Sequence, residues 1–231
     1  MTDRYLDREG NICMRIICDY LEPIVEKYNH PDFFFIEIGA HDGIYVDPIH
    51  RFVIKHRWKG ILIEPVTHLF TKLKENYKGY DGLIFENIAI SNDNEVWLFY
   101  HLPEVIDGKD MSGAGSFYKN SWINKRRKKK QLLWWIEKVY PNLTEIKVPC
   151  LSYKNLLKKH DVKRIDLLQI DVEGYEFEII KQIDFKYARP TIIHYEHSCL
   201  GSDIKKSWEY LEGNGYELTH LSSNTLAVSN I

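Results

Sequence analysis

A chain of 231 residues, 44% hydrophobic and 28% charged, has the composition of an ordinary globular protein and can bury a sizeable core in one domain. Its formal net charge of −2 argues against a general attraction to nucleic acid or to a membrane surface, leaving only local charge clusters to serve such partners. Four scattered cysteines (Cys13, Cys18, Cys150, Cys199) with no Cys-x-x-Cys pair suggest neither a zinc ribbon nor a redox dithiol, and fit a reducing, cytoplasmic setting.

Residues 1–10 alternate charges without an apolar core, so no signal peptide is expected, and no stretch approaches membrane-spanning length. Residues 12–28 carry Ile16, Ile17, Tyr20, Leu21, Ile24 and Val25 at helical spacing, with Pro23 as an expected break or kink. Residues 1–30 thus read as a helical cap on one domain covering 1–231. Next comes Phe33-Phe34-Phe35-Ile36-Glu37-Ile38-Gly39-Ala40-His41-Asp42-Gly43, an apolar run ending at an acid and two glycines. That pattern predicts a buried strand and a tight turn, where glycine lets the backbone approach a ligand closely. The Glu-x-Gly-x-x-x-Gly spacing lacks the middle glycine of dinucleotide binders, which speaks against NAD, and no P-loop Lys-Ser/Thr follows. What remains suits an adenosine cofactor without phosphates, S-adenosylmethionine being the common case; a purely structural strand-to-helix turn has the same pattern.

Asp47 is placed as an N-cap and Pro48 at the first position of a helix carrying Ile49, Phe52, Val53 and Ile54. A second strand, Ile61-Leu62-Ile63-Glu64-Pro65-Val66, delivers Glu64 where adenosine-binding α/β folds hold ribose hydroxyls, or simply leaves an acid at a strand end. A helix over 67–77 precedes a third strand, Leu83-Ile84-Phe85-Glu86-Asn87-Ile88-Ala89-Ile90, whose polar pair either meets an adenine edge or satisfies the strand end. A further strand is expected over 95–102.

Residues 103–147 differ in composition. They hold Gly108, Gly113, Gly115, Ser116-Phe117-Tyr118, the run Lys125-Arg126-Arg127-Lys128-Lys129-Lys130 and Trp134-Trp135. Three readings stand side by side: a solvated helix face, an RNA-binding patch, or a lid over an acceptor whose sugar rings meet the tryptophans. After an extended piece (146–152) and a helix (153–160), the stretch from Ile165 ends a central apolar strand at Asp171 and Glu173 before Gly174. Ligands of open α/β sheets bind outside the carboxyl ends of the strands. There these acids would hold a hydroxyl, steer a cation or transfer a proton, or merely favour a helix N-terminus. The strand from Arg189 ends at His197, a candidate base with an unperturbed pKa near 6.5. Glu196, His197 and Asp171 leave a divalent metal open as a further alternative. A helix over 202–212 and strands over 216–220 and 225–228 close the chain as an antiparallel hairpin on a mainly parallel sheet.

Glu37-Ile38-Gly39-Ala40-His41-Asp42-Gly43, Ile63-Glu64-Pro65, Asn87-Ile88-Ala89 and above all Ile165-Asp166-Leu167-Leu168-Gln169-Ile170-Asp171-Val172-Glu173-Gly174-Tyr175-Glu176 resemble the FkbM-type S-adenosylmethionine-dependent methyltransferases. The resemblance covers about residues 33 to 200 apart from 103–147. It implies an α/β class I methyltransferase fold, a Rossmann-like seven-stranded sheet with helices on both faces, and O-methylation of a hydroxyl on a small molecule or carbohydrate. It also implies a site in which Glu37, Gly39 and Gly43 line the cofactor loop with Ala40, His41 and Asp42 between them. Glu64 would hold the ribose, Asn87 and Ser116 would lie near the cofactor, and Asp171 would sit beside the methyl group. Asp171, Glu173 and His197 are then the catalytic candidates. Gln169 stands where the family usually has lysine, and residues 103–147 have no counterpart in its pattern. The alternatives are an RNA methyltransferase using the basic run and a non-catalytic cofactor-binding module; self-association into a homo-oligomer is left open.

Overall fold

The computed structural model describes residues 13–121 and 133–230, so the basic run at 125–130 lies outside the described residues. Helix α1 (Cys13–Tyr28) continues through Pro23, and the expected break is absent. Its buried Leu21 and Val25 pack with Phe33, Phe35 and Phe52, and this tertiary burial holds the helix across the proline. Strand β1 (Phe34–Ile38), helix α2 (His50–His56), strand β2 (Lys59–Ile63), helix α3 (Thr67–Asn76) and strand β3 (Leu83–Glu86) follow as two βαβ units.

The third apolar stretch is not one strand. It breaks at Asn87, because the Asn87 amide donates to the carbonyls of Glu64 (2.8 Å) and Pro65 (3.1 Å), and resumes as β4 (Ala89–Ser91) in a different sheet. Strands β5 (Val96–His101), β6 (Val105–Ile106), β7 (Lys109–Asp110), β8 (Gly115–Ser116) and β9 (Thr144–Ser152) come next. Helix α4 (Tyr153–Lys159), strand β10 (Ile165–Ile170), helix α5 (Glu176–Ile180), strand β11 (Pro190–Glu196), helix α6 (Asp203–Gly213), and strands β12 (Tyr216–His220) and β13 (Asn224–Ser229) complete the chain.

The main sheet has seven strands in the order β12-β13-β11-β10-β1-β2-β3. Pairing is parallel from β3 to β11, and β13 runs antiparallel between β11 and β12. Alternation along each strand feeds two cores: Phe35, Leu62 and Leu167 face α1 and α2, whereas Ile36, Ile61 and Leu168 face α4 and α5. The chain moves outward from β1 through β2 to β3, then returns to place β10 on the other flank of β1. The crevice where strand order reverses, above β1 and β10, is where an open α/β sheet receives its ligand. A smaller sheet, β4-β9-β5-β8, stands beside it. No helix among the described residues is long and apolar enough to cross a membrane.

Candidate cofactor and active site

Past β1, the N–H groups of Gly39 and Ala40 both donate to the Ile63 carbonyl (3.0 and 2.9 Å), folding the loop across β2. Gly39 has φ +88°, and a Cβ there would stand 1.8 Å from the Asp171 carbonyl oxygen. Only glycine lets this loop touch the turn after β10. Gly43 (φ +73°) has a different reason, since a Cβ would strike Tyr77 and Leu73 at 2.5 and 2.6 Å. Asp42 ties the loop together by accepting from the N–H groups of Ile44 (3.0 Å) and Tyr45 (2.7 Å), with His41 Nδ1 3.3 Å away. Burial works to raise its pKa, but His41 and these N–H groups outweigh burial and hold it below the usual carboxylate range.

Glu64 is buried between the two loops. Its Oε2 accepts from His41 N (3.0 Å) and its Oε1 from Val66 N (2.7 Å). Burial nevertheless pushes its pKa up to about 7. Across the central strands, Glu37, Gln169 and His194 stand in register on one face, and His194 Nδ1 lies 2.6 Å from Gln169 Oε1. Asp47 comes up beside Glu37, its Oδ1 accepting from Ile49 N (2.7 Å) and His50 N (3.0 Å). Burial, and after it the charge of Asp47, holds Glu37 well above its ordinary pKa, while burial raises Asp47 to about 7. Glu37 Oε2 and Asp47 Oδ2 are buried with no donor from any other residue among those described, and the two carboxyl groups hydrogen-bond each other when one of them carries a proton.

The second wall is the turn after β10. Asp171 N donates to the Ile38 carbonyl (2.9 Å), joining this turn to the glycine loop. Glu173 (φ +55°) and Gly174 (φ +114°) make it tight. Glu176, fully buried, holds it from beneath, accepting from Val172 N (3.0 Å) and from Gly174 N at both oxygens (3.1 and 3.0 Å). Burial, then the nearby charge of Glu196, raises Glu176 to about 8. From the other side, the Ser116 hydroxyl donates to the Glu173 carbonyl (2.8 Å), and the Cys199 thiol donates to Glu173 Oε2 (3.0 Å).

These walls enclose a cavity of about 340 Å³. Its polar side is Glu37, Asp47, Glu64, Asp171, Glu173 and Glu196; Ile88, Ala89, Ile90 and Phe99 close one end; residues 111–115 and Trp135 roof it. Of the residues singled out in the sequence, Glu37, Gly39, Ala40, His41, Glu64, Asp171 and Glu173 line this space together. Asp42, Gly43, Asn87 and Ser116 instead hold the walls in place through the contacts above. Glu86 accepts from His160 (2.6 Å) and pairs with Lys159 (2.6 Å). The structure does not bring His197 to the cavity: its Nδ1 lies 2.9 Å from Thr225 Oγ1 and its ring packs edge-on against Trp208. Burial holds it below its ordinary pKa. Sequence reasoning missed Asp47, which it assigned only to helix capping; Glu196, weighed there as a metal ligand beside Asp171, and Trp135, weighed as part of a lid, both line the cavity.

A parallel α/β sheet with a glycine loop, a buried acid after β2 and an acidic turn after β10, all at the switch point, is the architecture of a class I Rossmann-like methyltransferase. Residues 37–218 match the family model "Methyltransferase FkbM domain", and the chain belongs to that family. No curated protein matches it. Among solved structures it is similar to the methyltransferase FkbM from Methylobacillus flagellatus KT (11% identity, TM-score 0.51, covering 86% of this chain and 44% of that one). It is also similar to the METTL16 MTase domain (12% identity, TM-score 0.50, covering 96% of this chain and 69% of that one). The chain therefore spans less than half the length of the Methylobacillus structure.

Proposed function

We propose that this chain is an S-adenosylmethionine-dependent O-methyltransferase acting on a hydroxyl of a small molecule or carbohydrate. The observation that carries the reading is the convergence of the Gly39 loop, buried Glu64 and the Asp171 turn on one cavity. When bound, S-adenosylmethionine supplies a methyl group activated by a positively charged sulfur. The residues present suit it. Glu64 would accept from ribose hydroxyls, and Gly39 leaves the loop backbone open to the ligand. The buried carboxyl pair of Glu37 and Asp47 suits the cationic end of such a molecule, since a cation there would let both groups ionise and buried carboxylates are costly until a cation or donor meets them. Asp171 and Glu173 would orient the acceptor hydroxyl and receive its proton. Holding two reactants in near-attack geometry can lower a barrier of this kind by up to about 7–11 kcal/mol.

Calorimetric titration with S-adenosylmethionine and, separately, with NAD tests the reading. Binding of the first alone is expected, weakened by Glu64→Ala about tenfold or more, since hydrogen bonds to a charged group are worth about 1.5–3 kcal/mol. Binding of neither would leave the glycine loop as a structural turn. For the acceptor, a KM indifferent to salt is expected; a steep rise of KM with salt would point to RNA instead.

A further inference from the structure

Where the turn after β10 meets the end of β11, three side chains carry metal-ligand atoms. A carboxylate oxygen of Glu173, one of Glu196 and the Cys199 sulfur all lie within 4.8 Å of one another. Zinc holds carboxylate oxygen at about 2.0–2.2 Å and sulfur at about 2.3 Å, which sets tetrahedral ligand atoms roughly 3.5 Å apart, so small side-chain rotations close this group around one ion. The Ser198 hydroxyl donates to Glu196 Oε1 (2.7 Å), an orienting bond of the kind that ligating carboxylates keep. The Cys199 thiol donates to Glu173 Oε2 (3.0 Å), and this is the proton a metal would replace.

A separate observation points to the same place. Ser121 and Cys199 meet over Gly174, where a Cβ would stand 3.1 Å from Ser121 Cβ and 3.6 Å from Cys199 Cβ. The Ser121 hydroxyl is 2% exposed and has no hydrogen-bond partner among the described residues, although buried hydroxyls are ordinarily paired. It lines the same recess as Cys199, where it would bond a water carried by an ion on the cysteine sulfur.

The ligand set narrows the metal. One thiolate beside two carboxylates is softer than the all-oxygen sites of magnesium and calcium and suits zinc. Three protein ligands are the number that zinc keeps where a fourth position stays open for chemistry. Glu173 and Glu196 line the main cavity while Cys199 lies behind them on the recess wall, so that position faces the cavity. Asp171, Glu176 and Glu196 also lie within 4.8 Å of one another, and a divalent cation relieves the repulsion among these acids.

We propose that Glu173, Glu196 and Cys199 form a zinc site whose fourth position takes the oxygen of the acceptor hydroxyl. The acceptor role rests on the main cavity holding the methyl donor; the metal site stands on its own. Held there, the hydroxyl gives up its proton more readily. Asp171 receives that proton as the C–O bond forms and the C–S bond breaks, leaving a neutral thioether.

Metal titrations of the chelator-treated full chain test it. Zinc is expected to bind one to one and to raise Tm, and Co2+ in its place is expected to show the near-ultraviolet absorption of a cobalt–thiolate bond. That band is expected to vanish in Cys199→Ser and to persist in Cys150→Ser. Zinc affinity is expected to fall tenfold or more in Glu196→Gln and about tenfold in Ser121→Ala. Acetohydroxamate, an oxygen chelator, is expected to shift the visible bands of the cobalt protein through the open position. No cobalt–thiolate band, or a band that survives in Cys199→Ser, would overturn the metal site. Should Cys199→Ser not fold, undiminished zinc binding by folded Glu196→Gln would overturn it alone. Visible bands unmoved by acetohydroxamate would overturn the acceptor role. Metal binding with the expected signature in a chain that fails to bind S-adenosylmethionine would sink the cofactor reading and leave the zinc site standing.

Discussion

At the scale of single residues, the cavity is defined by carboxyl groups held away from water before any ligand arrives. Asp47 shows the consequence. Its pKa stands near 7 against an ordinary 3.8, with burial as the cause, so the folded state binds more protons than the unfolded chain between those values. Stability therefore falls as pH rises through that window, and the full deficit is present above pH 7. Asp47→Asn removes it. The Asn side-chain oxygen still accepts from Ile49 and His50, and the amide nitrogen gives the neighbouring Glu37 carboxyl group a donor. Thermal unfolding at pH 8 is expected to show a gain of at least ~1 kcal/mol, read as about 2–4 °C in Tm, and no gain near pH 4. The same change is expected to weaken S-adenosylmethionine, because it deletes one of the charges set to receive a cation. A variant unchanged in both respects would mean that Asp47 is solvated and outside the site.

At the scale of elements, the decisive structures are the two turns that follow β1 and β10, and they were legible to different degrees. The glycine loop and Glu64 could be read from residue order, because an apolar run ending in an acid and glycines folds on local grounds as a buried strand and a tight turn. Split strand β3/β4 could not, since the break depends on the Asn87 amide finding the carbonyls of Glu64 and Pro65, a contact between segments distant in sequence. Asp47 is expected at the N-cap with Pro48 opening the helix, but α2 starts only at His50 with Ile49 before it; Asp47 accepts from Ile49 N and His50 N in the loop ahead, and its place beside Glu37 depends on the path of that loop. The Asp171 turn was visible as a motif, but not what holds it. Glu176 does so by accepting from the N–H groups of Val172 and Gly174. Glu176→Ala would leave both part-buried donors unmet, at up to about 1–3 kcal/mol each. Loss of turnover well beyond the loss of cofactor affinity is expected, since Asp171 and Glu173 would lose their orientation while Glu64 stays in place. Glu176→Gln keeps one acceptor and is expected to recover part of kcat. Equal kcat in Ala and Gln variants that remain folded would show that the turn holds itself.

At the scale of the whole molecule, the cavity above β1 and β10 is shared between two sheets. The seven-stranded sheet supplies the acids and the glycine loop, whereas the small sheet and residues 111–117 supply Phe99, Phe117 and the roof, with Trp135 beside them. This division explains why the segment at 103–147, compositionally unlike the rest, could be marked in the sequence as a lid without its contacts being foreseen: β5 meets β9 across residues far apart in sequence, and Trp135, in the segment between them, lines the crevice. Trp135 is 7% exposed and packs with Leu102, Ile106, Ala114 and Val139, so its ring is fixed before a ligand binds. An aromatic contact of this type is worth about 0.5–1.5 kcal/mol. Trp135→Ala is therefore expected to weaken S-adenosylmethionine about two- to tenfold. The second expectation uses the indole as its own reporter. Titration of the wild type with S-adenosylmethionine should change tryptophan fluorescence, and Trp135→Phe should abolish that change while binding measured by calorimetry persists. A fluorescence change that survives in Trp135→Phe would place the ligand against another tryptophan and move the roof of the site elsewhere.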